Sequence, residues 1–124
     1  MPNRDFFDKY YGALTRADFE TLKDCYAPDV VLTHKGGAIT GRDVLLGAIA
    51  ASREVVENEV VLLDIVAEGG KAAVVFSDRF EARQDNLDFM GRKLSRGDRF
   101  EERICGFYRF EDGRIKAVQM FSAS

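Results

Sequence analysis

The sequence predicts an α+β domain, with three helices packed on a curved, largely antiparallel sheet that encloses a pocket. Three observations point there. Helical periods occupy the first half and are broken by one short strand. Long alternating strands fill the second half. Gly69-Gly70 and Asp112-Gly113 fall between those strands and make tight hairpin turns.

Taken in order, Asn3 is placed to cap a first helix. Phe6, Phe7, Tyr10, Tyr11 and Leu14 recur with helical spacing and form an apolar stripe rich in aromatics. Asp18 caps a second helix with Phe19, Leu22 and Tyr26 on one face. That helix should stop at Ala27, because the residue before Pro28 resists the α region. Residues 30–34 read as a short strand ended by Gly36-Gly37, and 39–41 as a connector. Asp43 opens a third helix that runs to Val56 and is weakened at Gly47 by about 1 kcal/mol relative to alanine. Strands follow at 60–67, 71–83, 98–110 and 114–122, with a loop at 84–95. A connection that long is uncommon unless it is functional. Strands 71–83 and 98–110 should be antiparallel neighbours, because the loop joins their adjacent ends.

Alternation separates the two faces of each strand. Val74, Phe76, Asp78 and Phe80 form the more apolar face and should point at the helices. Phe100, Glu102, Ile104, Gly106, Tyr108 and Phe110 form the matching set, and Val118 and Met120 share a face of the last strand. An acid between Phe76 and Phe80 needs a partner or a purpose. Cys105 and Phe107 lie on the outer face and leave apolar surface there, which points to a second copy of the chain, a homodimer.

The 124 residues fit one domain spanning 1–124, large enough to bury a core. Formal net charge is −3, and the basic residues Arg92, Lys93, Arg96 and Arg99 are offset by Asp98, Glu101 and Glu102. No nucleic-acid partner is expected, since the phosphate backbone demands a basic surface. The stretch 1–7 has no apolar signal region and no apolar run is long enough to span a bilayer, so no membrane association and a cytoplasmic location are expected. Cys25 and Cys105 read as reduced core thiols. One histidine without clustered carboxylates makes no metal site.

With these patterns in place, the chain resembles the nuclear transport factor 2-like superfamily, within it the SnoaL-like group near ketosteroid isomerases and limonene epoxide hydrolases. The resemblance covers essentially the whole chain. It rests on Tyr10-Tyr11-Gly12-Ala13-Leu14 with Asp18, on Tyr26-Ala27-Pro28-Asp29-Val30-Val31, on Ile39-Thr40-Gly41-Arg42, and on the run from Phe107 to Ile115. It implies a cystatin-like α+β cone, a pocket and a homodimer. It also implies functional positions. Tyr10 matches the isomerases' oxyanion tyrosine, whereas their general base falls at His34 and their second oxyanion donor at Gly106. The epoxide hydrolases' Arg-x-Asp is imitated by Arg79-Phe80-Glu81, which alternation places outside; an alternative register matches Asp78 and Phe80 to that pair, and in either register the three-residue set is incomplete. Met120 occupies the position of their late-strand aspartate.

The expected function is therefore a small-molecule enzyme that transfers protons on an apolar, ring-sized substrate and needs no cofactor. His34 and Asp78 move or hold the proton, and Tyr10 polarises a carbonyl or hydroxyl. Phe76, Phe80, Tyr108, Met120 and Glu102 contact the substrate. Tyr10, His34 and Asp78 should border one cavity, with the Asp78 pKa raised by burial. The competing expectation is a non-catalytic ligand-binding or dimerisation module of the same fold.

Overall fold

The computed structural model describes residues 3–122. Helix α1 (Arg4–Arg16) begins where the Asn3 side chain accepts the Phe6 amide at 2.9 Å. It ends at Ala17, whose left-handed backbone lets its amide reach the Ala13 and Leu14 carbonyls. Helix α2 (Phe19–Cys25) is capped by Asp18, which accepts from the amide and the hydroxyl of Thr21.

Strand β1 (Tyr26–His34) starts earlier than expected and takes the place of the last helical residues. Pro28 pushes its predecessor into the extended region, and Tyr26 then pairs with Ile115. The expected connector is a further strand, β2 (Gly37–Thr40), folded back on β1. Helix α3 (Arg42–Val55) is preceded by Gly41, and β3 (Val56–Glu68) follows without a linker. Then come β4 (Lys71–Ala82), β7 (Arg99–Glu111) and β8 (Arg114–Ser122). The expected loop between β4 and β7 holds a small hairpin, β5 (Leu87–Phe89) and β6 (Arg92–Leu94), whose tip places Met90 and Gly91 at positive φ.

The main sheet has the order β2-β1-β8-β7-β4-β3. All its pairings are antiparallel except β1 with β8. The three helices cover its inner face. Phe7, Leu22, Val30, Val74, Ile115 and Val118 are sealed between the layers, each contributing about 1.5–3 kcal/mol by leaving water. A second cluster of Val56, Phe80, Ala82, Leu87 and Leu94 anchors the hairpin. Arg53 ties the layers together: its guanidinium donates to the carbonyls of Leu14, Thr15 and Asn58, at 3.5, 3.0 and 2.6 Å. A cation over the last turn of α1 also complements the helix dipole.

Candidate functional site

The inner face has two unlike ends. Near the β3–β4 and β7–β8 turns, four tyrosines form two hydroxyl pairs. Tyr10 meets Tyr26 at 2.6 Å, and Tyr11 meets Tyr108 at 2.7 Å. A phenol in a core must find a partner, and these partner one another. Burial is the main cause that pushes all four pKa values up, so each stays a neutral hydroxyl. Tyr10 is 1% exposed and Tyr108 is 0% exposed. The expectation that Tyr10 borders a cavity is therefore corrected: its hydroxyl is used by Tyr26 and its ring by Phe6, Phe7 and Tyr11. Tyr108 packs likewise against Phe7.

Toward the other end the polar groups are less enclosed. Asp78 is half-buried between the rings of Phe76 and Phe80, as alternation implied. Its Oδ1 accepts from Asn58 Nδ2 at 2.7 Å, and the same amide donates to the Arg79 carbonyl. Glu102 lies directly across the ladder on β7. Opposed side chains on antiparallel strands have Cβ atoms about 4.5–5.5 Å apart. Burial raises the Asp78 pKa from 3.8 to about 6, with the Asn58 hydrogen bond opposing and the Glu102 charge adding to the rise. Glu102 is 22% exposed and meets Arg92 of β6 at 3.7 Å. The Arg92 guanidinium sits 4.3 Å from the Phe100 ring centroid, and Phe100 stacks on Phe80 at 4.9 Å. A cleft of about 640 Å³ at this edge is lined mainly by the outer-face residues Glu57, Glu59, Arg79, Glu81, Arg99 and Glu101, and reaches Thr15, Asn58, Phe80 and Phe100. Asp78 and Glu102, which face the opposite side of the sheet from most of that lining, are not among the residues that line it.

His34 is elsewhere. It is exposed at the end of β1, and its Nδ1 accepts the Gly36 amide at 3.0 Å. With Met120 and Phe121 it lines a separate cleft of about 430 Å³. Following the ladder from His34 through Met120 and Gly106 to Val74, Asp78 lies three strands across and four residues along. That is about 14 Å by about 13 Å before curvature. The expectation of one cavity shared by Tyr10, His34 and Asp78 is thus not met. Strand alternation set the faces correctly but carried no information on position along the cone axis.

Gly106 is explained by its neighbour: a Cβ there would sit 2.6 Å from the Tyr108 ring. The Tyr108 phenol fills the space a longer side chain would need. Arg79 and Glu81 lie on the outer face, where Arg79 bridges Glu59 and Glu101 and Glu81 pairs with Arg99. Among the described residues no cluster of three metal-binding side chains occurs.

Sequence reading did not single out Asn58, Arg53 or the role of Arg92. Asn58 was detectable as a polar residue at inner-face spacing from Val60 and Leu62, once β3 is extended to Val56. Arg92 had no local signal, because its role depends on the hairpin folding back toward Glu102.

The model of the SnoaL-like domain family matches residues 7–118. Comparison with the curated proteins gives no match. Among solved structures, IdmH from Streptomyces antibioticus, described as a candidate polyketide cyclase, is similar at a TM-score of 0.78. It is 26% identical, over 96% of this chain and 90% of its own. A candidate polyketide cyclase from Pseudomonas putida KT2440 gives 0.79 at 20% identity, covering 98% and 91%. An LEH-like epoxide hydrolase from M. tuberculosis gives 0.77 at 20% identity, covering 95% and 80%. The last two likenesses carry the fold alone.

Proposed function

Because the chain belongs to the SnoaL-like domain family, we propose that it is a small-molecule enzyme whose Asp78 exchanges a proton with an apolar, ring-sized ligand. The reaction would be of the isomerase, cyclase or hydrolase-like kind. The observation that carries this reading is Asp78 itself. It is a half-buried carboxyl among Phe76, Phe80 and Tyr11, oriented by Asn58, with a pKa of about 6. A group that titrates close to neutrality exchanges protons in both directions with little free-energy cost. Asn58 occupies Oδ1 and leaves Oδ2 for the ligand. Phe80 and Phe100 supply the apolar wall, and the neutral tyrosines form the floor behind it. His34 and Met120 belong to a second cleft and take no part in this step.

A second copy of the chain would cover the outer face, where Phe121 is 55% exposed and Val66 is 71% exposed near half-buried Cys105 and Phe107. Sedimentation that finds only monomer at micromolar concentration would remove the homodimer. The free thiols Cys25 and Cys105 fit a reducing, cytoplasmic setting. Among the described residues, no helix is long and apolar enough to cross a membrane.

The test uses cyclic ketones of aromatic, terpenoid and steroid-like type. Ligands that raise the melting temperature are retained. Deuterium uptake beside their carbonyl in heavy water is then followed by mass spectrometry. The wild type should catalyse uptake, and Asp78→Asn should bind but not catalyse. Equal uptake by both proteins, or no ligand bound by either, sinks the proposal.

A further inference from the structure

We propose that the β5–β6 hairpin governs proton exchange at the Asp78–Glu102 pair, with Arg92 as the positioning residue. This rests on the reading of Asp78 given above and adds a control element to it.

The geometry connects the two. Asp78 and Glu102 face each other across β4 and β7 on the inner face. Like charges directly opposed in a sheet repel. The cation that meets this pair is Arg92, which touches Glu102 and lies over Phe100. Phe100 stacks on Phe80, the next inward residue after Asp78. Arg92 therefore reports the seating of the hairpin by two routes, one through charge and one through packing. Leu87 and Leu94 hold the hairpin base against Val56 and Ala82, while Met90 at the tip is 50% exposed. The base is anchored and the tip is free.

The other groups around Asp78 do not duplicate this role. From β3 comes the neutral Asn58 amide. From α1 and β7 come Tyr11 and Tyr108, hydroxyls that burial keeps protonated. The Arg53 guanidinium of α3 is turned to backbone carbonyls and the Glu57 carboxylate. On the outer face of β4, Arg79 is engaged by Glu59 and Glu101. The charge balance facing Asp78 is thus one carboxylate and its arginine. With Arg92 seated, the field of Glu102 is partly cancelled and Asp78 releases its proton more readily. When the hairpin lifts to admit a ligand, Glu102 stands uncompensated and Asp78 keeps its proton, ready to donate it from Oδ2. Seating the hairpin afterwards favours the ionised form.

The test is a carbon-13 NMR titration of the Asp78 carboxyl in the full chain. Arg92→Met should raise its midpoint by about half a pH unit, and Glu102→Gln should lower it by a similar amount. Arg92→Lys, which keeps the charge, should restore most of the wild-type value. In a Glu102→Gln background, Arg92→Met should move the midpoint less than half as far, because the charge it answers is gone. A shift that persists undiminished in that background would mean simple disruption of the hairpin and would overturn the inference. So would a midpoint indifferent to Arg92 while the wild type titrates near 6. A wild-type Asp78 that titrates at the ordinary carboxyl value would instead overturn the proposed function on which the inference stands.

Discussion

The tyrosine end and the carboxylate end of this cone are built on the same inner face, often on the same strands. β7 contributes Tyr108 to one and Glu102 to the other. At the first end every inward hydroxyl finds another and the pairs are sealed from water. At the second end the carboxyls face each other, and their partners come from an amide and from a hairpin outside the main sheet. A buried polar group that is fully satisfied stabilises a fold and has no spare valence for a ligand. One that is held at one oxygen only has chemistry to offer. Polarity alone does not mark a site; polarity left partly unsatisfied does.

The contrast can be broken most strongly at the closed end. Tyr108→Ala removes a ring in contact with Phe7 and strands the Tyr11 hydroxyl. Urea denaturation should show a loss of about 4 kcal/mol. A loss below about 1 kcal/mol would mean the tyrosine end is not the stabilising half. Next in size is Arg53→Ala. It frees carbonyls of α1 and β3 at once, and a cost of about 3 kcal/mol is expected in the same measurement.

The open end should respond with the opposite sign. The Asp78 pKa rises from 3.8 to about 6 on folding, so the native chain holds the extra proton between those values. The contribution of Asp78 to stability therefore falls as pH rises from about 4 to about 6 and then levels off. Asp78→Asn removes that burden and still presents an oxygen to Asn58. At pH 8 the variant should be more stable than wild type by roughly 2 kcal/mol, and below pH 4 the two should converge. A variant that is less stable at pH 8 would show that the carboxylate is held by more than Asn58. The smallest effect belongs to Tyr10→Phe, which leaves the Tyr26 hydroxyl without its partner. About 1 kcal/mol should be lost, with no change in the pH profile of any Asp78-dependent reaction. A changed profile would return Tyr10 to the site.

Most of the fold is legible in the sequence, because period and turn chemistry are local. The strands after Gly70, their alternation and the antiparallel pairing of β4 with β7 all follow from spacing. Two elements were not legible. β2 is only four residues long and contains a glycine, so nothing local distinguishes it from a connector. The β5–β6 hairpin turns at Met90-Gly91, a pair without strong turn preference, and is held by contacts with Val56 and Ala82. The site was legible to the same depth. Alternation aimed Asp78 and Glu102 inward, but the distance from His34 to Asp78 depends on register across three strands. No single strand encodes that register.

One pairing reaches beyond the site. β8 lies between β1 and β7, and its contact with β1 is the parallel one. The segment that precedes α3 therefore cannot join the main sheet until residues 114–122 have been synthesised. On the ribosome the β3–β4–β7 meander can form first, while β1 waits with an open edge that invites wrong pairing. The same arrangement makes β8 a natural seam for splitting the molecule. A chain ending after the β7–β8 turn and a separate peptide carrying residues 114–122 should reassemble by strand addition from both sides. Such a two-part system would turn the folding order of this cone into a conditional switch.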